Sequence, residues 1–332
     1  PNTANPLFLR TVLDELRQHG DHFTLGQVID GYLAAPNLTQ LFAAVIGRWE
    51  RDFERDRPGL VRDALTALWA ARRGLNEPEL LDVLGGPEPL PHAIWSPLFL
   101  AAGESLALRA DLLGFLHEPL RTAVAARWLP TDEDRAAAHQ RLADYFDRRP
   151  LGPRVVAELP WQLQRAGAWD VLADRLARPD LLAAAYRADL PGVRAAWAAV
   201  EGASDRRMVT AYAGVLTDPA GHPEVAWEVA RLLTDAGHPA EALALHRHLV
   251  GSARSEGNER RLAAALANLG AALLGGDDVG DALAAFDEQE QIARRLGDDA
   301  LLQVALGNQG AALRARADHA GALAKMAEEE AI

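Results

Sequence analysis

Asn268-Leu269-Gly270-Ala271-Ala272-Leu273 recurs 40 residues on as Asn308-Gln309-Gly310-Ala311-Ala312-Leu313, and no other feature restricts the fold as much. Ala242-Leu243, Ala282-Leu283 and Ala322-Leu323 keep the same step. Small residues at 230, 270 and 310 let one helix of each unit approach a second, which has small residues at 242, 282 and 322. A unit of this size cannot bury its apolar face alone, so three in register predict an α-solenoid over 221–332. From about residue 150 the pattern is helical throughout, punctuated by Gly167, Pro179, Pro191, Gly202, Gly221, Gly237 and Gly257. A helical linker is expected over 151–220.

The first 150 residues read differently. Asn5-Pro6 opens a helix, with Leu9, Val12, Leu13 and Leu16 on one face. Another covers about 25–33, and Asn37 caps a long one carrying Leu38, Leu41, Phe42, Val45, Ile46, Trp49 and Phe53. Pro58-Gly59 marks a boundary. Beyond it come a helix over about Leu60–Arg72, a second begun by the capping box Asn76/Glu79, and a third holding Ile94, Leu98 and Leu100. Ser105–Phe115 predicts two short strands around a polar turn. Helices start near His117 and, capped, at Thr131. Three helices, a hairpin and a trailing helix are the order of a winged helix, expected over 59–150. The fold class is therefore mainly α, with one small β-hairpin.

Composition excludes several functions. No cysteine is present, which removes disulfides, thiolate catalysis and Cys-type zinc sites. The one lysine, Lys325, lies in an alanine-rich stretch, so no phosphate-binding loop of the Walker type can form and no ATPase activity is expected of this chain. A net charge of −13 disfavours nucleic acid, and the second helix of the expected winged helix, Glu77–Leu84, is itself acidic. No apolar run approaches the roughly 20 residues of a membrane helix and no leader opens the chain, so no membrane partner and a cytoplasmic location are expected. His238, His246 and His248 cluster in sequence, but 246 and 248 point to different helical faces, so no metal site is expected. No serine sits in a nucleophile elbow, and no catalytic residues are assigned. The tryptophans fall mostly at apolar helical positions and read as core.

The repeated units resemble tetratricopeptide repeats in their form of about 40 residues. Gly270, Ala282 and Phe286 match that family's small, small and large positions. Gly310, Ala322 and Met326 repeat the match, and Ala230, Ala242 and His246 follow it less closely. The resemblance implies a groove that binds a protein or peptide, with partner-binding positions at Asn268, Asn308, Ala271, Ala311 and Arg314. The first 200 residues resemble the C-terminal part of STAND ATPases (signal-transduction ATPases with numerous domains). Asn5-Pro6-Leu7-Phe8-Leu9 is similar to the segment opening the helical lid behind the nucleotide, with Ala4 where that family has glycine. Leu116-His117-Glu118-Pro119-Leu120 is similar to the Met-His-Asp segment of the family's winged helix, with Glu118 for Asp and an unusual Pro119. Glu158–Leu163 and Gly167-Ala168-Trp169 look like its helical linker.

This second resemblance implies an incomplete lid over 1–58. It also implies that Pro6 packs on an adenine and that His117 reaches the β-phosphate of ADP, latching an inactive state. Both contacts need a nucleotide-binding domain of the same polypeptide. No cofactor is expected in this stretch, and ADP or ATP in the full-length parent. The first residue is Pro1 and the last, Ile332, falls in a helical pattern, so both ends are expected to be cut from something longer. Two other functions share the pattern: a passive scaffold, and the sensor arm of a transcription regulator whose DNA-binding domain lies elsewhere.

Overall fold

The computed structural model describes residues 4–332, which divide into two compact units, the first ending at Ala168 and the second beginning at Trp169. The first unit contains α1 (Pro6–Gln18), α2 (Leu25–Leu33), α3 (Leu38–Phe53), α4 (Leu60–Ala70), α5 (Glu77–Gly85), α6 (His92–Ala101), β1 (Leu106–Arg109), β2 (Leu112–Phe115), α7 (Glu118–Trp128), α8 (Asp132–Asp147) and α9 (Pro153–Ala166). Side-chain caps set many of the starts. Asn5 accepts from the Leu7 and Phe8 amides, Asn37 from Gln40, and the pairs Asn76/Glu79 and Thr131/Asp134 each close a capping box.

The core of the unit is the buried face of α3, with Leu41, Phe42, Val45, Ile46 and Trp49. It packs on α4, α6 and α7. Against it, α1 buries Phe8, Thr11, Val12 and Glu15, whereas Leu9 and Leu13 point outward. This differs from the single face expected of Leu9, Val12, Leu13 and Leu16. The reason is Glu15, which faces inward because Arg48 and Tyr32 meet it: Arg48 Nη2 donates to one oxygen at 2.9 Å and the Tyr32 hydroxyl to the other at 2.8 Å.

β1 and β2 pair antiparallel, Leu106 opposite Phe115 and Arg109 opposite Leu112, around Ala110 and Asp111, both at positive φ. Leu75 bridges Leu113 on the other edge of β2. Gly74 makes that approach possible: its φ is +99°, and a Cβ there would lie 2.5 Å from the Leu113 carbonyl oxygen. α9 packs on α8, so it belongs with the first unit although the sequence pattern places it in a linker. A partly buried polar network ties it there. Arg154 of α9 bonds Glu79 of α5 through two contacts of 2.8 Å, and the fully buried Glu158 takes the Arg72 amide and Gln162.

The second unit runs through α10 (Trp169–Leu176), α11 (Pro179–Ala203), α12 (Met208–Ala211), α13 (Ala213–Thr217), α14 (Ala226–Asp235), α15 (Pro239–Ser255), α16 (Glu259–Gly275), α17 (Val279–Leu296), α18 (Asp299–Ala315) and α19 (His319–Glu330). α11 bends at Asp189, whose φ and ψ of −159° and 70° are non-helical. Pro191, two residues on, lacks the amide hydrogen that would continue the helix. Three helix pairs then follow as an α-solenoid: α14 with α15, α16 with α17, and α18 with α19. Ala230, Ala242, Gly270, Ala282, Gly310 and Ala322 are all buried. Phe286 packs into the core with Leu273, Ala282 and Ala312.

Gly270 and Gly310 share a register but not a role. A Cβ at Gly270 would stand 2.3 Å from the Phe286 ring, whereas at Gly310 the nearest atom is Met326 Cγ at 3.7 Å. Alanine gains about 1 kcal/mol of helix propensity over glycine, and overpacking costs roughly 1–3 kcal/mol. Gly310→Ala is therefore expected to raise the stability of the unit, and Gly270→Ala to lower it. Adding Phe286→Leu should recover much of the loss. Urea titration of the three variants checks the opposite signs.

Only Trp49, Trp95 and Trp197 of the tryptophans are buried. Trp69 and Trp161 are half-exposed because they serve as platforms for Arg121 and Arg165, whose guanidinium carbons each lie 5.4 Å from the ring centroid. Among the described residues, no helix is long and apolar enough to cross a membrane.

Candidate functional site

The repeat face is built by the first helix of each pair. α14 packs beside α16, and α16 beside α18. Asn268 and Ala271 project from α16, Asn308, Ala311 and Arg314 from α18. Both asparagines and Ala311 are half-buried, and Ala271 and Arg314 are exposed. The two asparagines are not equivalent. Asn308 Nδ2 donates to Gln289 Oε1 on α17 at 3.3 Å. The residue 40 positions before Gln289 is Leu249, which offers no acceptor, and the Asn268 amide makes no hydrogen bond among the described residues. A planar amide with free donor and acceptor on a helical face can take one backbone N–H and one C=O from an extended segment.

Next to this face lies a polar cluster absent from the sequence reading. Gln309 Nε2 donates to Asp287 Oδ1 at 2.7 Å and to Glu290 Oε2 at 2.8 Å. Lys325 Nζ meets Glu290 at 2.9 Å, and Arg294 meets it at 2.8 Å. Burial pushes the Glu290 carboxyl up, but the bonds from Lys325, Gln309 and Arg294 outweigh it and hold the group down at about 2. The sequence carries two faint signals of this cluster: its lone lysine, and the replacement of Leu269 by Gln309 in otherwise matching units.

In the first unit His117 is the N-cap of α7, directly after β2. Its ring lies 6.3 Å from that of Phe42 and faces α1, where it lines a space of about 10 Å³ with Leu7, Arg10 and Thr11. Burial, with Arg10 nearby, holds its pKa below the usual histidine value and so favours the neutral imidazole. Neither ring nitrogen makes a hydrogen bond among the described residues. Pro6 is exposed at the first turn of α1. The space beside His117 admits at most one water. These residues therefore do not enclose a ligand of their own. Arg10, which the sequence reading passed over, pairs with Glu104 and Asp14 at the edge of this space. Among the described residues no three His, Asp or Glu gather as a metal site, and His246 is buried while His248 is half-exposed.

The fold of the second unit is that of a tetratricopeptide-like helical-repeat protein. A TPR repeat-containing protein of Dictyostelium discoideum is 30% identical over 176 residues, covering 53% of this chain and 10% of that one. Tetratricopeptide repeat protein 41 of Rattus norvegicus is 26% identical over 215 residues, covering 54% of this chain and 16% of that one. The chain thus spans a small part of either relative's length. No family model matches the chain. A solved structure, the STAND protein with a tetratricopeptide repeat sensor from Pyrococcus horikoshii, aligns at 11% identity and a TM-score of 0.40 over 95% of this chain and 58% of that one, too distant to support an assignment.

Proposed function

We propose that this chain is the regulatory and sensor portion of a nucleotide-switched signalling ATPase of the STAND type. Its repeats bind a protein or peptide trigger, and the winged helix formed by α4–α8 and the hairpin latches an ADP-bound state. The observation that supports this reading is the position of His117. It starts the helix after the hairpin, stands beside α1, and keeps its ring nitrogens free of protein partners. α1 adds a second feature, the exposed apolar strip Pro6, Leu9 and Leu13, which fits a face covered by another domain. In this reading ADP is held mainly by a nucleotide-binding domain of the same polypeptide, and Pro6 and His117 reach it from outside.

A neutral imidazole that donates to a phosphate oxygen stabilises the docked arrangement only while that phosphate is present. His117→Ala in the parent protein is therefore expected to lower the ADP retained through purification several-fold and to raise basal signalling. Unchanged retention together with unchanged signalling would refute the latch.

A second reading, a passive scaffold, draws on the relatives, which are named for tetratricopeptide repeats alone. A Walker lysine and an acidic Walker B strand upstream favour the switch, and their absence favours the scaffold. In both readings Asn268 and Asn308 contact the ligand backbone, with Ala271, Ala311 and Arg314 beside them.

A further inference from the structure

Two clefts on the first unit are lined by arginine, and they differ in what neutralises it. In the first, of about 760 Å³, Arg149 pairs with Asp82 and Arg141 with Asp63 at 3.6 Å. Two of its three arginines are therefore paired, Arg149 with a carboxylate of the lining and Arg141 with one beside it. The second, of about 460 Å³, lies against the hairpin and is lined by Arg72, Arg73, Arg109 and Arg121, with Glu118 as its one carboxylate. Arg73, Arg109 and Arg121 make no ion pair among the described residues.

Two of these arginines are held in place. Arg121 lies over the Trp69 ring at 5.4 Å and donates to the Trp69 carbonyl oxygen at 3.4 Å. Arg72 donates through Nη1 to the Ala157 carbonyl oxygen at 3.1 Å. Arg73 and Arg109 are exposed at the edge. Gly74 and Gly114 also line the space, and at Gly114 an added Cβ would meet nothing within 4 Å. Gathered like charges repel, and a chain with 47 acidic and 34 basic residues has ample carboxylates to offset them. Here it places one. The three arginines without an ion pair, Arg73, Arg109 and Arg121, the fixed orientation of Arg121 and the concave shape together suit an anionic ligand.

We propose that this cleft binds a compact polyphosphate through its phosphoryl oxygens. Guanidinium groups meet such oxygens in paired, charge-assisted bonds. The volume falls in the range of small-ligand pockets. An extended polyanion would run beyond the cleft onto a molecule of net charge −13, which repels it. The site is separate from the nucleotide contact proposed at His117. Leu116 and Glu118 line this cleft, whereas His117 between them lines the space beside α1.

The test is calorimetric titration of the whole chain with inorganic triphosphate at low ionic strength. Saturable binding is expected, weakened about tenfold or more in Arg73→Ala/Arg109→Ala, since each charge-assisted bond to an anion contributes about one to two powers of ten. The double variant should keep its melting temperature, because neither side chain has a protein partner. Arg148→Ala, in the other cleft, should bind as the parent does. ATP bound with equal affinity would assign recognition to the phosphoryl groups alone, and tighter ATP binding would add a nucleoside contact. Absence of triphosphate binding, or indifference to the double substitution, overturns the proposal. A short DNA duplex held more tightly than triphosphate through the same arginines overturns it in favour of nucleic acid.

Discussion

Arg154→Ala is expected to destabilise the first unit by about 3–5 kcal/mol, the cost of leaving a buried ion without its partner. Arg154 joins three elements. It bonds Glu79 through two contacts of 2.8 Å, the Gly74 carbonyl oxygen at 2.9 Å and Glu158 at 3.4 Å. Glu158 is completely buried and Glu79 nearly so. Glu79 retains the Asn76 amide when arginine is removed, and Glu158 retains the Arg72 amide and Gln162 Nε2. Neither carboxylate keeps its bonded cation. Adding Glu158→Gln removes one of the two charges while leaving an amide oxygen to accept, so the double variant should regain at least about 1 kcal/mol. Urea unfolding followed by tryptophan fluorescence reads both, since Trp69 and Trp161 flank His139, which Gln162 holds at 2.9 Å. A loss under about 1 kcal/mol for Arg154→Ala would mean that water reaches Glu158 and that the network does not anchor α9.

That network shows where sequence reading runs out. The caps at Asn5, Asn37, Asn76 and Thr131 were legible because each side chain bonds an amide two or three residues away, and the chemistry of a cap is local. The 40-residue register was legible because identical packing sites demand similar residue sizes. Arg154 and Glu79 are 75 residues apart, with no pattern to link them. α9 consequently read as a linker, although its polar residues hold it in the first unit. The inequivalence of Asn268 and Asn308 was hidden for a related reason. It depends on Gln289, a residue of another helix whose counterpart is Leu249. On α1 the Asn5-Pro6 start marks the helix, but its inward face is set by Glu15, whose partners come from α2 and α3.

The repeats are also expected to lose stability in acid at one buried histidine. His246 occupies the position of Phe286 and Met326, and it is buried. The Thr234 hydroxyl donates to the Ala230 carbonyl oxygen at 2.9 Å, so it accepts from His246 Nε2 at 2.9 Å. Nδ1 is buried with no partner. Desolvation, with a smaller contribution from Arg231, depresses the pKa to about 4, although the Ala230 backbone opposes the shift. The unfolded chain, with an ordinary histidine near 6.5, takes up a proton before the folded one does. Stability is therefore unaffected above about pH 6.5 and is lost as pH falls from there to about 4. The total loss approaches about 3 kcal/mol.

His246→Leu should abolish this component, because Thr234 keeps its bond to Ala230. Phenylalanine is the wrong replacement: Phe286 fits against Gly270, whereas position 246 faces Ala230, whose methyl would meet the ring. His139 is also held below its ordinary value, by burial, and contributes in the first unit. The diagnostic quantity is thus the difference between parent and His246→Leu as melting temperature is followed from pH 7.5 to pH 4.5. Parallel curves would show that the imidazole finds an acceptor or water on protonation. Curves that converge at neutral pH and separate below pH 6 would locate the acid response in the first repeat, where histidine stands in place of an apolar side chain.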